Sequence, residues 1–327
     1  MLRTISFIAV LVLGVAVVLS YLTLGPWVSL PEDPPEVIEA RWAKVVVWAE
    51  ATPDSVGTPG ARQRLSAALL PLSRSEALNS QEENTTPLAD ADLDDEARSA
   101  LEAFVRWSDA GGGLGDDPCI HDESLSGREA AADDPLIQPI ALHRLAELAI
   151  RRSTSPDDPH LRAALELGAA LRGRGPAIYG MIGGSIADKA RAFAIARGWS
   201  PNPLLRDTRP SNDAIFGILA RESFCQMRLL ERAIARDEDF ATDDNDGWRA
   251  LVGIDRELQM LRWYLGKRLV AAHDVADDPA ALLDALAPPD PDELPSSLLL
   301  QTVMVDQSGH FSRYSEQVES YDRFIAD

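Results

Sequence analysis

Cysteine is nearly absent, with Cys119 and Cys225 the only two in 327 residues. That is too few for a disulfide-dense scaffold or a four-cysteine zinc site. Lysine is almost missing too: Lys44, Lys189 and Lys267 are the only lysines among 31 basic residues, set against 52 acidic ones. The resulting formal charge of −21 repels phosphate backbones and excludes nucleic acid as a default partner. Histidine is limited to His121, His143, His160, His273 and His310, with no H-E-x-x-H, so zinc hydrolase chemistry has no support. After residue 24 no apolar run reaches spanning length. The most apolar later stretch, Pro176 to Ala187, stops at Asp188-Lys189 and reads as a buried core helix.

What is present is concentrated at the start. Ile5 to Leu24 carries no charge and, at about 1.5 Å per residue, covers roughly 30 Å, the hydrocarbon thickness of a bilayer. Arg3 precedes it, and Glu32, Asp33, Glu36 and Glu39 follow. The positive-inside rule therefore keeps the N-terminus cytoplasmic and exports the chain from about residue 26. A cleaved signal peptide is the competing reading, but the run exceeds the usual apolar region of about 7–15 residues and no A-x-A site follows. Arginine, alanine and proline are abundant, as in a GC-rich bacterial coding sequence. The expected location is a bacterial inner membrane, crossed once, with a periplasmic ectodomain.

The exported part reads as mostly α: a multi-helix bundle or stacked helical hairpins. Val37 to Ala49 suggests a juxtamembrane helix and Arg62–Leu72 a short one. Leu93, Ala97, Leu101, Phe104 and Val105 form a further stripe. After a Gly/Asp/Pro loop over 108–135 come stripes at Ile137, Ile140, Leu145 and Leu148, then at Leu161, Leu165, Gly168 and Leu171. Gly173 to Pro176 breaks the pattern. The next stripe is Ile178, Ile182, Ile186, Ala190 and Phe193, and another includes Ile215, Ile218, Leu219 and Leu229. The cleanest periodicity is Leu251, Ile254, Leu258, Leu261, Leu265, Leu269 and Ala272. Pro288 to Pro291 is a rigid linker, and 298–315 reads as two strands about a turn, with a short buried helix over Leu298–Val305 as the alternative. The expected divisions are a cytoplasmic stub over 1–4, an anchor over 5–24, juxtamembrane helices and acidic loops over 25–135, a helical core over 136–287 and a C-terminal segment over 288–327.

Few residues suggest chemistry. In an oxidising compartment Cys119 and Cys225 are a disulfide candidate, with two free thiols as the alternative. Asp116, Asp117, Cys119, His121, Asp122 and Glu123 crowd together, yet a lone C-x-H lacks the second ligand pair of a zinc site and reads as a solvated acidic loop. Thr242 to Gly247 resembles a calcium loop, but Thr242 and Gly253 stand where two strong ligands are required. Asp246 capping a helix from Trp248 is the simpler account. Gly180 and Gly184, four apart, suit the close approach of another helix. Arg221-Glu222 reads as a partly buried ion pair, with Glu222 the one weak candidate for a catalytic carboxylate. No metal or cofactor is expected.

The order of elements resembles uncharacterised single-pass envelope proteins of Gram-negative bacteria, some of which end in a small pilin-like hairpin. The likeness rests on the N-terminal apolar segment, the Gly-Pro break at 175–176, Arg221-Glu222, the Leu-striped helix, Leu282, Leu283 and Leu286, and the Pro-Asp linker. It implies location and architecture, with no activity attached. The expected function is membrane-anchored protein–protein interaction or envelope assembly, and the chain reads as a non-enzyme more than an enzyme. The alternatives are an anchored periplasmic hydrolase using acidic residues, or a secreted helical binding protein after signal cleavage.

Overall fold

A computed structural model describes residues 31–50, 58, 60–72, 86–114, 139–173, 177–199, 205, 212–236, 254–275, 278–286 and 316. Among these residues the chain is all-α, with no strand. The helices are α1 (Pro35–Glu50), α2 (Ala61–Leu72), α3 (Asp95–Asp109), α4 (Pro139–Arg152), α5 (Pro159–Gly173), α6 (Ala177–Ala196), α7 (Asn212–Arg236), α8 (Ile254–Asp274) and α9 (Pro279–Leu286). None of them is long and apolar enough to cross a membrane. The apolar run over 5–24, the loops at 116–123 and 242–247, and the stretch 298–315 lie outside the described residues.

Proline opens α1, α4, α5 and α9, where its fixed φ suits a helix and its missing N–H has no partner to lose. Aspartates cap several starts. Asp94 accepts from the Ala97 N–H at 2.7 Å to begin α3, and Asp158 accepts from the His160 N–H at 2.9 Å to begin α5. Asp278 does the same for α9 through the Ala281 N–H at 3.2 Å.

The chain divides into two compact units, each assembled from separated segments. One comprises residues 46–225 and 307–327, the other residues 1–45 and 226–306. In the first, α2 to α6 pack around a single core containing Leu65, Leu69, Leu101, Phe104, Trp107, Leu145, Leu161, Leu171, Ile186 and Phe193. Helices from both sides of residue 135 therefore share one core. Two residues expected in the core are exposed instead, Ile140 at 66% and Ile178 at 46%. Helical geometry accounts for both. At about 100° per residue, Ile140 lies about 140° round the helix from Leu145, and Ile178 about 80° from Ile186.

Helices α5 and α6 approach most closely where glycine faces glycine. A Cβ on Gly183 would lie 2.4 Å from the Gly168 carbonyl oxygen, and one on Gly180 would lie 2.7 Å from Cδ1 of Ile218. Helix α4 runs alongside α6 in the same direction, since His143 meets Ser185 and Glu147 meets Lys189 with both partners advancing together.

In the second unit, Ile38 of α1 packs with Met260, Trp263 and Tyr264 of α8. The Trp263 indole N–H donates to Asp33 at 2.7 Å, and Arg41 pairs with the same carboxylate. Those hydrogen bonds, from Trp263 foremost and then Arg41, hold the Asp33 carboxyl below its ordinary range. Arg262 bridges Glu39 and Glu231, and Arg268 donates to the Ala285 and Leu286 carbonyls at the end of α9.

Candidate functional site

Helix α7 places Glu222 facing the start of α6, where its carboxylate accepts the Ala177 N–H at 2.7 Å. The first N–H groups of a helix have no partner within it, so Glu222 supplies an acceptor from a neighbouring helix. The adjacent Arg221, only 3% exposed, donates to the Arg172 carbonyl near the end of α5. The dipeptide thus fastens the end of one helix and the start of the next across the 174–176 break. Arg172 itself is half-buried and lies near Arg191; desolvation first, then that like charge, push its guanidinium down to about 10, with Asp188 opposing. Asp188 also pairs with Arg191.

Gly180 and Gly184 are both buried in α6. Gly180 meets Ile218 of the same chain, and the tightest contact falls on Gly183, between the two residues singled out by their spacing. Cys225 is buried and disulfide-bonded, and no described cysteine is free. Cys119 lies outside the described residues. Among the described residues no group of three or more His, Cys, Asp or Glu side chains is arranged to hold a metal.

Two polar clusters emerge that residue spacing did not single out. At the end of α3, the Ser108 hydroxyl donates to Glu166 of α5 at 2.6 Å, beside the turn at Gly111 to Gly113. Gly112 adopts φ 48° there, and a Cβ on it would come within 3.2 Å of the Glu166 carboxylate. Burial raises the Glu166 carboxyl above its ordinary value, while the Ser108 hydrogen bond and Arg162 oppose that rise.

The second cluster lines the α4–α6 seam. His143 Nε2 lies 3.1 Å from Ser185 Oγ, and His143 Nδ1 lies 3.9 Å from Glu147 Oε2. Lys189 donates to that same Glu147 oxygen at 2.6 Å. A hydroxyl, an imidazole and a carboxylate in a row resemble an activated-serine relay. The geometry departs from one at two points. Glu147 is beyond hydrogen-bond reach of the ring and is held by Lys189, and Ser185 sits mid-helix, where the neighbouring N–H groups serve the helix and form no oxyanion hole. The cluster instead holds a neutral imidazole between two helices. Burial first, then Lys189 and Arg144, lower its pKa, with Glu147 opposing.

Both halves of the seam are visible in the sequence as i, i+4 pairs, His143 with Glu147 and Ser185 with Lys189. Which helix faces which is a tertiary fact that spacing does not carry. No protein-family model, curated protein sequence or solved structure matches this chain.

Proposed function

We propose that this chain is a bitopic inner-membrane protein, anchored through residues 5–24 with its N-terminus cytoplasmic, whose helical ectodomain works in the periplasm by contact with other envelope proteins. The observation that carries the reading is the disulfide at Cys225, because disulfides persist in oxidising compartments. Cys119 is the only other cysteine in the chain and is taken as its partner. The hydrolase alternative loses its one named carboxylate, since Glu222 is engaged at the start of α6. In this reading the stretch 298–315 forms a terminal hairpin beyond the Pro288–Pro291 linker.

The test is crosslinking of tagged full-length protein in intact membranes, followed by mass identification of captured chains. The expected result is a recurring envelope protein that disappears when residues 1–27 are replaced by a cleavable signal. Capture at background level, or recovery of the chain from the cytosol with reduced cysteines, overturns the reading.

A further inference from the structure

Helices α4 and α6 run side by side within one unit, and across their seam the carboxylate of Glu147 stands near two groups able to be cationic. Glu147 is bonded to Lys189 at 2.6 Å and stands 3.9 Å from His143, whose other nitrogen meets Ser185 at 3.1 Å. Apart from these, Arg144 of α4 is the charged group whose field reaches the ring. Helices α2, α3 and α5, which also pack against α4, contribute none among the described residues. We infer that the His143–Ser185–Glu147–Lys189 cluster is a pH-sensitive latch, closed across the α4–α6 seam while His143 is neutral and loosened when the ring takes a proton.

Protonation makes both ring nitrogens donors, so the Ser185 hydroxyl can meet the ring only as an acceptor and its own proton needs another acceptor. It also sets a second cation against a carboxylate that Lys189 already holds, in a half-buried place where screening is weak. The sign follows from the closed seam holding the imidazole below its ordinary 6.5. The opened seam takes up the proton first, so closure weakens as pH falls below 6.5 and the loss levels off once pH passes under the closed-state value.

The experiment is backbone hydrogen exchange on the full-length chain in detergent micelles at pH 7.5 and 5.5, corrected for intrinsic rates. Protection over 139–152 and 177–196 is expected to fall at least about twofold at the lower pH while that of 279–286, in the other unit, stays constant. His143→Gln, neutral at every pH, is expected to abolish the drop. Lys189→Gln removes the cation whose field lowers the ring's pKa most, raising the imidazole titration seen by NMR and shrinking the drop. Equal protection at both pH values, a drop that survives in His143→Gln, or an unmoved ring titration in Lys189→Gln overturns the latch.

Discussion

A methyl group is enough to test the tightest glycine contact among the described residues. Alanine at Gly183 would force its Cβ against the Gly168 carbonyl and the Arg172 stem, and backbone yields less than a side chain. Gly183→Ala is therefore expected to lose about 1–3 kcal/mol in chemical denaturation, and Gly180→Ala less, because it meets the side chain of Ile218 and no backbone atom. Asp158 has a different duty. It accepts from the Thr154 and His160 N–H groups, the Thr154 hydroxyl and the His160 ring, and these bonds outweigh the effect of burial and lower its pKa. Asp158→Ala is expected to cost about 1 kcal/mol above pH 5, and the wild-type advantage to vanish as pH falls through the folded-state value. Glu166 has the opposite sign. Its raised pKa means that the unfolded chain ionises first, so its contribution is lost as pH rises above 4.5 through the folded-state value. Thermal melts of Glu166→Gln, which keeps an acceptor for Ser108, should match wild type near pH 4 and exceed it increasingly towards pH 7.

At the scale of elements, apolar stripes made most of the helices readable. The stretches expected around 37–49, 62–72 and 93–105 appear as α1, α2 and α3, and the later stripes as α4 to α8. Proline and aspartate at helix starts are local signals, since the first turn has orphan N–H groups wherever it occurs. Pairing is not local, which is why the His143 and Glu166 clusters do not show in the spacing, whereas Ile140 and Ile178 leave the buried arc by the geometry of their own helices. Glu222 shows the same limit: a carboxylate beside an arginine reads alike as catalyst or as fastener until its neighbour is known. Arg268 offers an element-level test. It is buried at 9% exposure and supplies donors to the last carbonyls of α9, which have no helical partners. Arg268→Met removes those charge-assisted bonds, and protection of 279–286 in hydrogen exchange is expected to fall about tenfold or more.

Across the whole molecule, charge and covalent linkage set the response to solution conditions. With a net charge of −21, folding gathers like charges together, so added salt up to about 0.15 M should raise the melting temperature by screening them. If Cys119 closes the bridge at Cys225, the loop spans about 100 residues, and Cys225→Ser should lose up to about 4–5 kcal/mol in the chain-entropy limit. Equal stability of oxidised and reduced protein would remove that linkage. The grip of Asp33 on Trp263 and Arg41 has a consequence for reach. In the proposed topology, where residues 5–24 would cross the bilayer, only residues 25–32 would separate the membrane exit from that fastened point, and eight residues reach at most about 28 Å. On that proposal Asp33 would ride within that length of the lipid surface, so a partner gripping this end of α1 would itself have to be bound to the membrane or able to crouch against it.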